Sequence, residues 1–360
     1  MKTVTATIDL SALDYNMALI AKIASSSKLI GVVKANAYGH GSIRCAAIMD
    51  KYVDGYAVAR LEEAIELRKN GISKDILMLG GFVREVDLSD IEKYDISFTL
   101  HSFWQLDAIE RYSPKKQLKA WCQVNIGMQR LGFNDDELPK ALKLINNSKC
   151  LVQPVGMISH LSCADSEKTE LINKHQIESW SKMVAQCHGK LCLANSAGCL
   201  YYPETRTEYI RPGIIQYGIS PSDEKTGESL GLKPVMTFSS FIMDIRKIKT
   251  GDVVGYGGSW RCTEDTIIGI LAVGYADGYP RAMPNGSPVL INGRLVKTVG
   301  HVCMDMMFVD LGKNSTDNIG DTAILWGKGL PAEIVAKQVN TIPYELVTGL
   351  SSRVDYKYII

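Results

Sequence analysis

Eight short apolar segments recur through the first two thirds of this 360-residue chain, most of them separated by stretches with helical spacing, and this alternation restricts the fold more than any other feature. The first is the run Leu29, Ile30, Val32 and Val33 that ends at Lys34. DGYAVA (54–59), DILMLGGF (75–82), ISFTLHS (96–102), KAWCQVNIG (119–127), VGMISHLSCAD (155–165), KLCLANSAG (190–198) and YIRPGIIQYG (209–218) follow. A helix capped by Ser11 and running to about Ser25 is expected before the first. RLEEAIELRKNG, stopped by Gly71, FWQLDAIERY, DDELPKALKLINN and the span Glu167 to Cys187 read as helices between later ones. Apolar runs of this length between helices indicate parallel strands buried on both faces. Eight such units predict an α/β fold, a closed (β/α)8 TIM-type barrel over residues 10–232. An open doubly wound sheet has the same count and is the alternative. No GxGxxG follows the first strand, which argues against a dinucleotide site.

The texture changes near Lys233–Pro234. Residues 233–360 alternate and turn without long helices, so a C-terminal mainly-β domain is expected, with residues 1–9 able to pair with it. Asn292–Gly293 signals a hairpin. One short helix is expected from Pro331 to Val339, with proline in its first turn. A net charge of +1 without a basic tract speaks against nucleic acid. MKTVTATIDL is too short and polar for a signal peptide, and no apolar run is long enough to span a bilayer, so no membrane association and a cytoplasmic location are expected. The nine cysteines are scattered singly, without zinc-ligand spacing, and read as reduced thiols; no metal site is expected.

The richest local stretch is GVVKANAYGHG, residues 31–41. A lysine at the C-terminal end of a buried strand is costly unless it has a partner or a task, and an apolar setting lowers its pKa and frees the amine for imine chemistry. A strand-capping lysine reaching solvent is the plain alternative. In a β/α barrel the strand C-termini share one mouth, where Arg130, His160, Asn195, Ser196 and Arg211 join Lys34. Each has a dull explanation: a surface arginine, a core histidine, a helix cap. Their joint placement favours a site. Gly213 and Ile214 sit at a turn whose N–H groups suit a phosphate, with the hydroxyls of Ser196 and Tyr38 as further donors. An amine, a phosphate cradle and an arginine for a ring nitrogen match the needs of pyridoxal phosphate.

VVKANAYGHG, GMQRLGF, SHLSCAD, ANSAG, RPGIIQYG, VGYGGSW, GYADGYPR, CMDMM and LSSRV, in this order and spacing, resemble the alanine racemase family over essentially the whole chain. The resemblance implies a pyridoxal 5′-phosphate barrel followed by a β domain. It implies racemisation of a small amino-acid substrate, by default alanine, with D-alanine supplied for peptidoglycan. It also implies a homodimer in which one subunit's C-terminal domain completes the other's site. Lys34 then binds the cofactor and serves as one base; Tyr256, from the partner, is the opposite base. His160 and Arg211 form a relay to Tyr256, and Arg211 faces the pyridine nitrogen. Tyr38, Ser196, Gly213 and Ile214 bind phosphate. Arg130 touches cofactor and substrate carboxylate, Met304 and Asp305 belong to the partner's wall, and Tyr275 lines the entrance. From the residues alone, Tyr256 reads as an aromatic on a half-buried strand, and Tyr275 is the more conspicuous tyrosine.

Three positions depart from the family pattern. Gln123 stands where many members have a lysine described as carbamylated; its amide oxygen can accept from Arg130, or an anion can sit there. His301 replaces a frequent arginine, and Ser352 a tyrosine of some members. Competing readings are a racemase of broader or different specificity (serine, lysine), a barrel decarboxylase with Cys303 as its candidate cysteine, and a non-enzymatic cofactor-binding regulator. Carbon dioxide release separates the decarboxylase, and the β domain with VGYGGSW speaks against the regulator.

Overall fold

The structure, a computed structural model, describes residues 3–360. The chain divides into two units, one made of Met17–Ala37 and Gly41–Gln216, the other of Met1–Asn16, Tyr38–His40 and Tyr217–Ile360.

The chain opens on β1 (Thr5–Asp9) and a helix over Leu10–Ile23. Ser11 does not cap this helix. Asp9 does: its Oδ1 accepts from the Ala12 N–H at 2.9 Å and from the Ser11 hydroxyl at 2.6 Å. A carboxylate on the residue just before the helix outcompetes a hydroxyl already inside it, because it satisfies an orphan N–H and carries charge matched to the dipole. Asp9→Ala is expected to cost about 1 kcal/mol of stability, read from the shift of the urea midpoint at constant m.

Eight strands then close into a parallel barrel: β2 (Lys28–Val32), β3 (Gly55–Val58), β4 (Asp75–Met78), β5 (Ser97–Leu100), β6 (Ala120–Gln123), β7 (Gly156–Ile158), β8 (Leu191–Cys192) and β9 (Tyr209–Ile210). β9 pairs back onto β2, with Leu29 opposite Ile210, so the sheet is closed rather than open. All residues of β3, β5, β6 and β7 are buried, as strands covered on both faces require. The four expected intervening helices are present: Phe103–Tyr112 with the bounds expected, and Leu61–Lys69, Leu138–Asn147 and Glu170–Val184 shortened. The third begins late because Pro139 occupies its first turn, where a missing N–H costs nothing. Helices Ser42–Met49 and Asp87–Tyr94, which the sequence reading left out, complete the outer layer.

The other unit is a sheet of eight strands, built from β1 with β10 (Met236–Ile248), β13 (Thr266–Leu271), β14 (Pro288–Ile291), β15 (Arg294–Val299), β16 (Met307–Asp310), β17 (Thr322–Trp326) and β18 (Asp355–Ile359). The short β11 (Val253–Val254) and β12 (Trp260–Arg261) form a separate hairpin. β10 buries Met236, Phe238, Ser240 and Ile242 at period two, and its added pairing with β13 turns the sheet back on itself. β1 lies between β10 and β18. The Asn292–Gly293 turn has φ of 49° and 75°, the left-handed pair that a two-residue hairpin needs. Instead of one helix near the end there are two, Ala332–Gln338 and Pro343–Thr348; six residues were too few for a periodic signal in the second. Among the described residues no helix is long and apolar enough to cross a membrane.

Candidate active site

Lys34 follows β2 at the C-terminal mouth of the barrel. Its amine is pushed below the ordinary lysine range, first by burial, then by the charges of Arg130 and Arg211, with Glu63 opposing. The chain beyond it is not an ordinary helical turn. Ala35, Asn36, Ala37 and Tyr38 have φ of 50°, 53°, 54° and 52°, and Gly39 follows at 80°: a run of left-handed backbone. Each non-glycine residue there costs about 1–2 kcal/mol, so the surrounding structure must hold it. Ala37 N–H donates to the Val33 carbonyl at 2.8 Å, and Asn36 Oδ1 accepts from the Ser42 N–H at 2.8 Å. The Ala35 N–H donates to Glu63 Oε1 at 2.6 Å.

Arg211, directly after β9, is 5% exposed. Its Nη2 donates to the Ser159 carbonyl at 2.9 Å and to His160 Nδ1 at 3.0 Å; Nη1 donates to Cys192 Sγ at 3.1 Å. A guanidinium has no acceptor, so Nδ1 of His160 is the accepting nitrogen and its proton sits on Nε2. Burial, then Arg211, Arg130 and Lys34, hold His160 well below its usual range, so it is neutral at physiological pH. The Arg211–His160 pair expected from the sequence is therefore present. Arg211 Nε is the one guanidinium nitrogen without a partner among the described residues.

Ser196 begins the helix Ser196–Tyr201 and is not its cap. Asn195 is, accepting from the Gly198 N–H at 2.9 Å. Freed from capping, Ser196 Oγ accepts from the Gly213 N–H at 2.8 Å, which leaves its own proton to donate. This corrects one expectation: the Gly213 N–H is engaged by serine rather than open to an anion. Ile214 starts the next 3₁₀ turn, and its N–H has no partner among the described residues. Arg130 lies in the loop after β6, exposed, its charge facing Arg211. Gln123, the last residue of β6, is 8% exposed and its Oε1 accepts no hydrogen bond, so the bond from Arg130, one of the two alternatives for this position, is not made.

The remaining candidates belong to the second unit. Tyr38 is buried, its ring against Tyr217 at 5.2 Å and Tyr344 at 5.8 Å. Tyr256 is not on a half-buried strand. It stands at the tip of the β11–β12 hairpin between Gly255 (φ 72°) and Gly257 (φ 69°), and it is 74% exposed. The left-handed glycines flanking it present the ring outward instead of folding it onto a sheet. Tyr275, Met304 and Asp305 do come together: the Tyr275 N–H donates to the Cys303 carbonyl and the Ala276 N–H to the Met304 carbonyl, both at 3.0 Å. Arg353 ties the cluster, with Nη2 2.8 Å from Asp305 and Nε 3.1 Å from Asp277.

Sequence reasoning passed over Glu63 and Cys192. Glu63 lay inside a well-patterned helix and read as a surface charge. Its position two residues after Leu61 at a helix start was the available signal. Cys192 carried none. Among the described residues no cluster of histidine, cysteine or carboxylates could hold a metal.

Two family models match the chain: the alanine racemase N-terminal domain over residues 8–221 and the alanine racemase C-terminal domain over residues 235–358. An alanine racemase of Aliivibrio salmonicida is 45% identical over 359 residues, all of both chains. The crystal structure of biosynthetic alanine racemase from Pseudomonas aeruginosa superposes with a TM-score of 0.97 at 35% identity, covering 100% of each chain. That of the alanine racemase from Bartonella henselae, with covalently bound pyridoxal phosphate, does so with a TM-score of 0.89 at 29% identity, again over 100% of each. A barrel with a buried arginine bonded to a histidine beside a lysine of depressed proton affinity, joined to a β unit and matched end to end by these relatives, leaves neither the decarboxylase nor the regulator standing: the chain belongs to the alanine racemase family and is an isomerase that interconverts L- and D-alanine.

Proposed function

We propose that the reaction runs on pyridoxal 5′-phosphate held at the barrel mouth, in a cytoplasmic homodimer that supplies D-alanine for peptidoglycan. The observation that carries this reading is the placement of the Lys34 amine, depressed in proton affinity, at the same mouth as the buried Arg211 and its partner His160. When bound, the cofactor supplies an electron sink that acidifies the α C–H bond of the substrate. The donor set fits such a group: an amine for its aldehyde, the Arg211 Nε–H for its ring nitrogen, and the Ser196 hydroxyl, held by the Gly213 N–H, with the Ile214 N–H and Tyr38 for its phosphate.

Inverting a carbon requires a proton taken from one face and another delivered to the opposite face, which two acid–base groups accomplish most simply. Lys34 serves one face. Tyr256 of the partner subunit serves the other; its 74% exposure within its own unit supports a role outside it. His160, neutral and protonated on Nε2, is the hydrogen-bond donor toward that phenol, and Arg211 keeps its proton throughout. Arg130 holds the substrate carboxylate, the partner subunit's Met304 and Asp305 wall the approach, with Asp305 fixed by Arg353 of its own chain, and Tyr275 lines the entrance.

Purified protein incubated with pyridoxal phosphate is expected to absorb in the visible range, to convert L-alanine to D-alanine and back at equal final amounts, and to sediment as a dimer. Activity on serine or lysine exceeding that on alanine points to the broader specificity, and a monomer with full activity removes Tyr256 as a shared base.

A further inference from the structure

Glu63 makes a connection that helix capping does not require. It is the third residue of the helix Leu61–Lys69, and its Oε2 accepts from the backbone N–H groups of Ala59 at 2.8 Å and Arg60 at 3.1 Å, the ordinary duty of a glutamate there. Its Oε1 reaches a different segment altogether and accepts from the Ala35 N–H at 2.6 Å. Ala35 directly follows Lys34 and is the first residue of the left-handed run. We propose that Glu63 is a positioning residue for Lys34: one carboxylate clamps the strained turn after β2 to the start of the helix after β3, and so fixes where the lysine amine points. The proposal rests on the reading of Lys34 as an acid–base residue.

Two physical consequences separate the clamp from a plain cap. Left-handed backbone over four non-glycine residues reverts once its anchors go, and the Ala35 N–H is the anchor nearest the amine. A group displaced by about 1 Å from its productive position costs about 10²-fold in rate. Glu63 also faces the Lys34 amine as the one anion among Arg130, Arg211 and the neutral His160, so its charge sustains the amine's proton affinity.

The test compares Glu63→Gln with Glu62→Gln, which removes the same charge from an exposed neighbour. The glutamine amide keeps one acceptor and turns a donor toward the other N–H group, so it cannot serve both segments. In the full-length chain, hydrogen exchange over residues 33–41 is expected to rise about tenfold or more in E63Q alone, in the range of local opening. Labelling of Lys34 by acetic anhydride across pH, followed by mass spectrometry without added cofactor, is expected to move to lower pH in E63Q alone. The alanine kcat is expected to fall about 10–10²-fold with KM little changed. If E63Q loses thermal stability while exchange over 33–41 and the Lys34 labelling profile match wild type, Glu63 is only a helix cap and the proposal is overturned. If E63Q does not fold, Glu63→Asp takes its place: the shorter carboxylate keeps the cap but not the reach to Ala35, and the same two readouts decide. Exchange and labelling need no turnover, so an inactive wild type would sink the reading of Lys34 while leaving the clamp measurable.

Discussion

Lys34→Ala is expected to abolish racemisation, lowering the rate on either enantiomer of alanine by about 10⁴-fold or more, and to leave the protein colourless after incubation with pyridoxal phosphate. Both losses follow from the proposed role of this amine, which is to attach the aldehyde and to serve one face of the substrate. Chiral chromatography of the product and a visible absorbance spectrum check them together. Retained absorbance with lost activity would assign attachment to another amine; retained activity would remove Lys34 from the chemistry. The pH dependence has a defined sign. Burial, Arg130 and Arg211 lower the amine's proton affinity, so its neutral, basic form is populated at lower pH than that of a free lysine. The acid limb that this amine contributes to kcat, where it is free to take up a proton, therefore lies below the ordinary lysine range near 10.4, and His160, already neutral, contributes no limb near its usual pKa.

Tyr256→Phe is expected to preserve colour, fold and the proposed dimer while lowering racemisation by about 10²–10⁴-fold. The hydroxyl forms no hydrogen bond among the described residues and the ring is largely exposed, so stability should change by less than about 0.5 kcal/mol. The sharper measurement is exchange of the α proton in deuterium oxide. With one base gone, the enantiomer that presents its proton to Lys34 still exchanges and the other does not. Equal loss for both enantiomers would make Tyr256 a structural residue of the dimer rather than a base.

The barrel was legible because its strands are short, uniformly apolar and spaced by helices, and burial on both faces leaves that mark on a sequence. The hairpin at Asn292–Gly293 was legible because only residues tolerant of positive φ fit a two-residue turn. The errors have equally local causes. Ser11 read as a cap because hydroxyls commonly cap, yet Asp9 stood two residues earlier with a stronger acceptor. The plain alternative for Ser196, a helix cap, fails because Asn195 takes the cap, which releases the serine hydroxyl. Tyr256 read as a strand aromatic because nothing in periodicity reports how left-handed glycines on either side redirect a ring.

The sequence by itself determined which chemistry this chain can carry: a lysine at a strand end, a set of polar residues at successive strand ends, and a motif order shared with one family. Residue types and their spacing along the chain specify donors, charges and the count of β/α units, and these are one-dimensional properties. Only the tertiary structure decided that the sheet closes with β9 on β2, that Arg211 donates to His160 and thereby places its proton on Nε2, and that Glu63 grips the turn after Lys34 from 28 residues away. Such contacts join residues far apart in the chain, and their hydrogen-bond direction depends on angles and distances that no local pattern encodes.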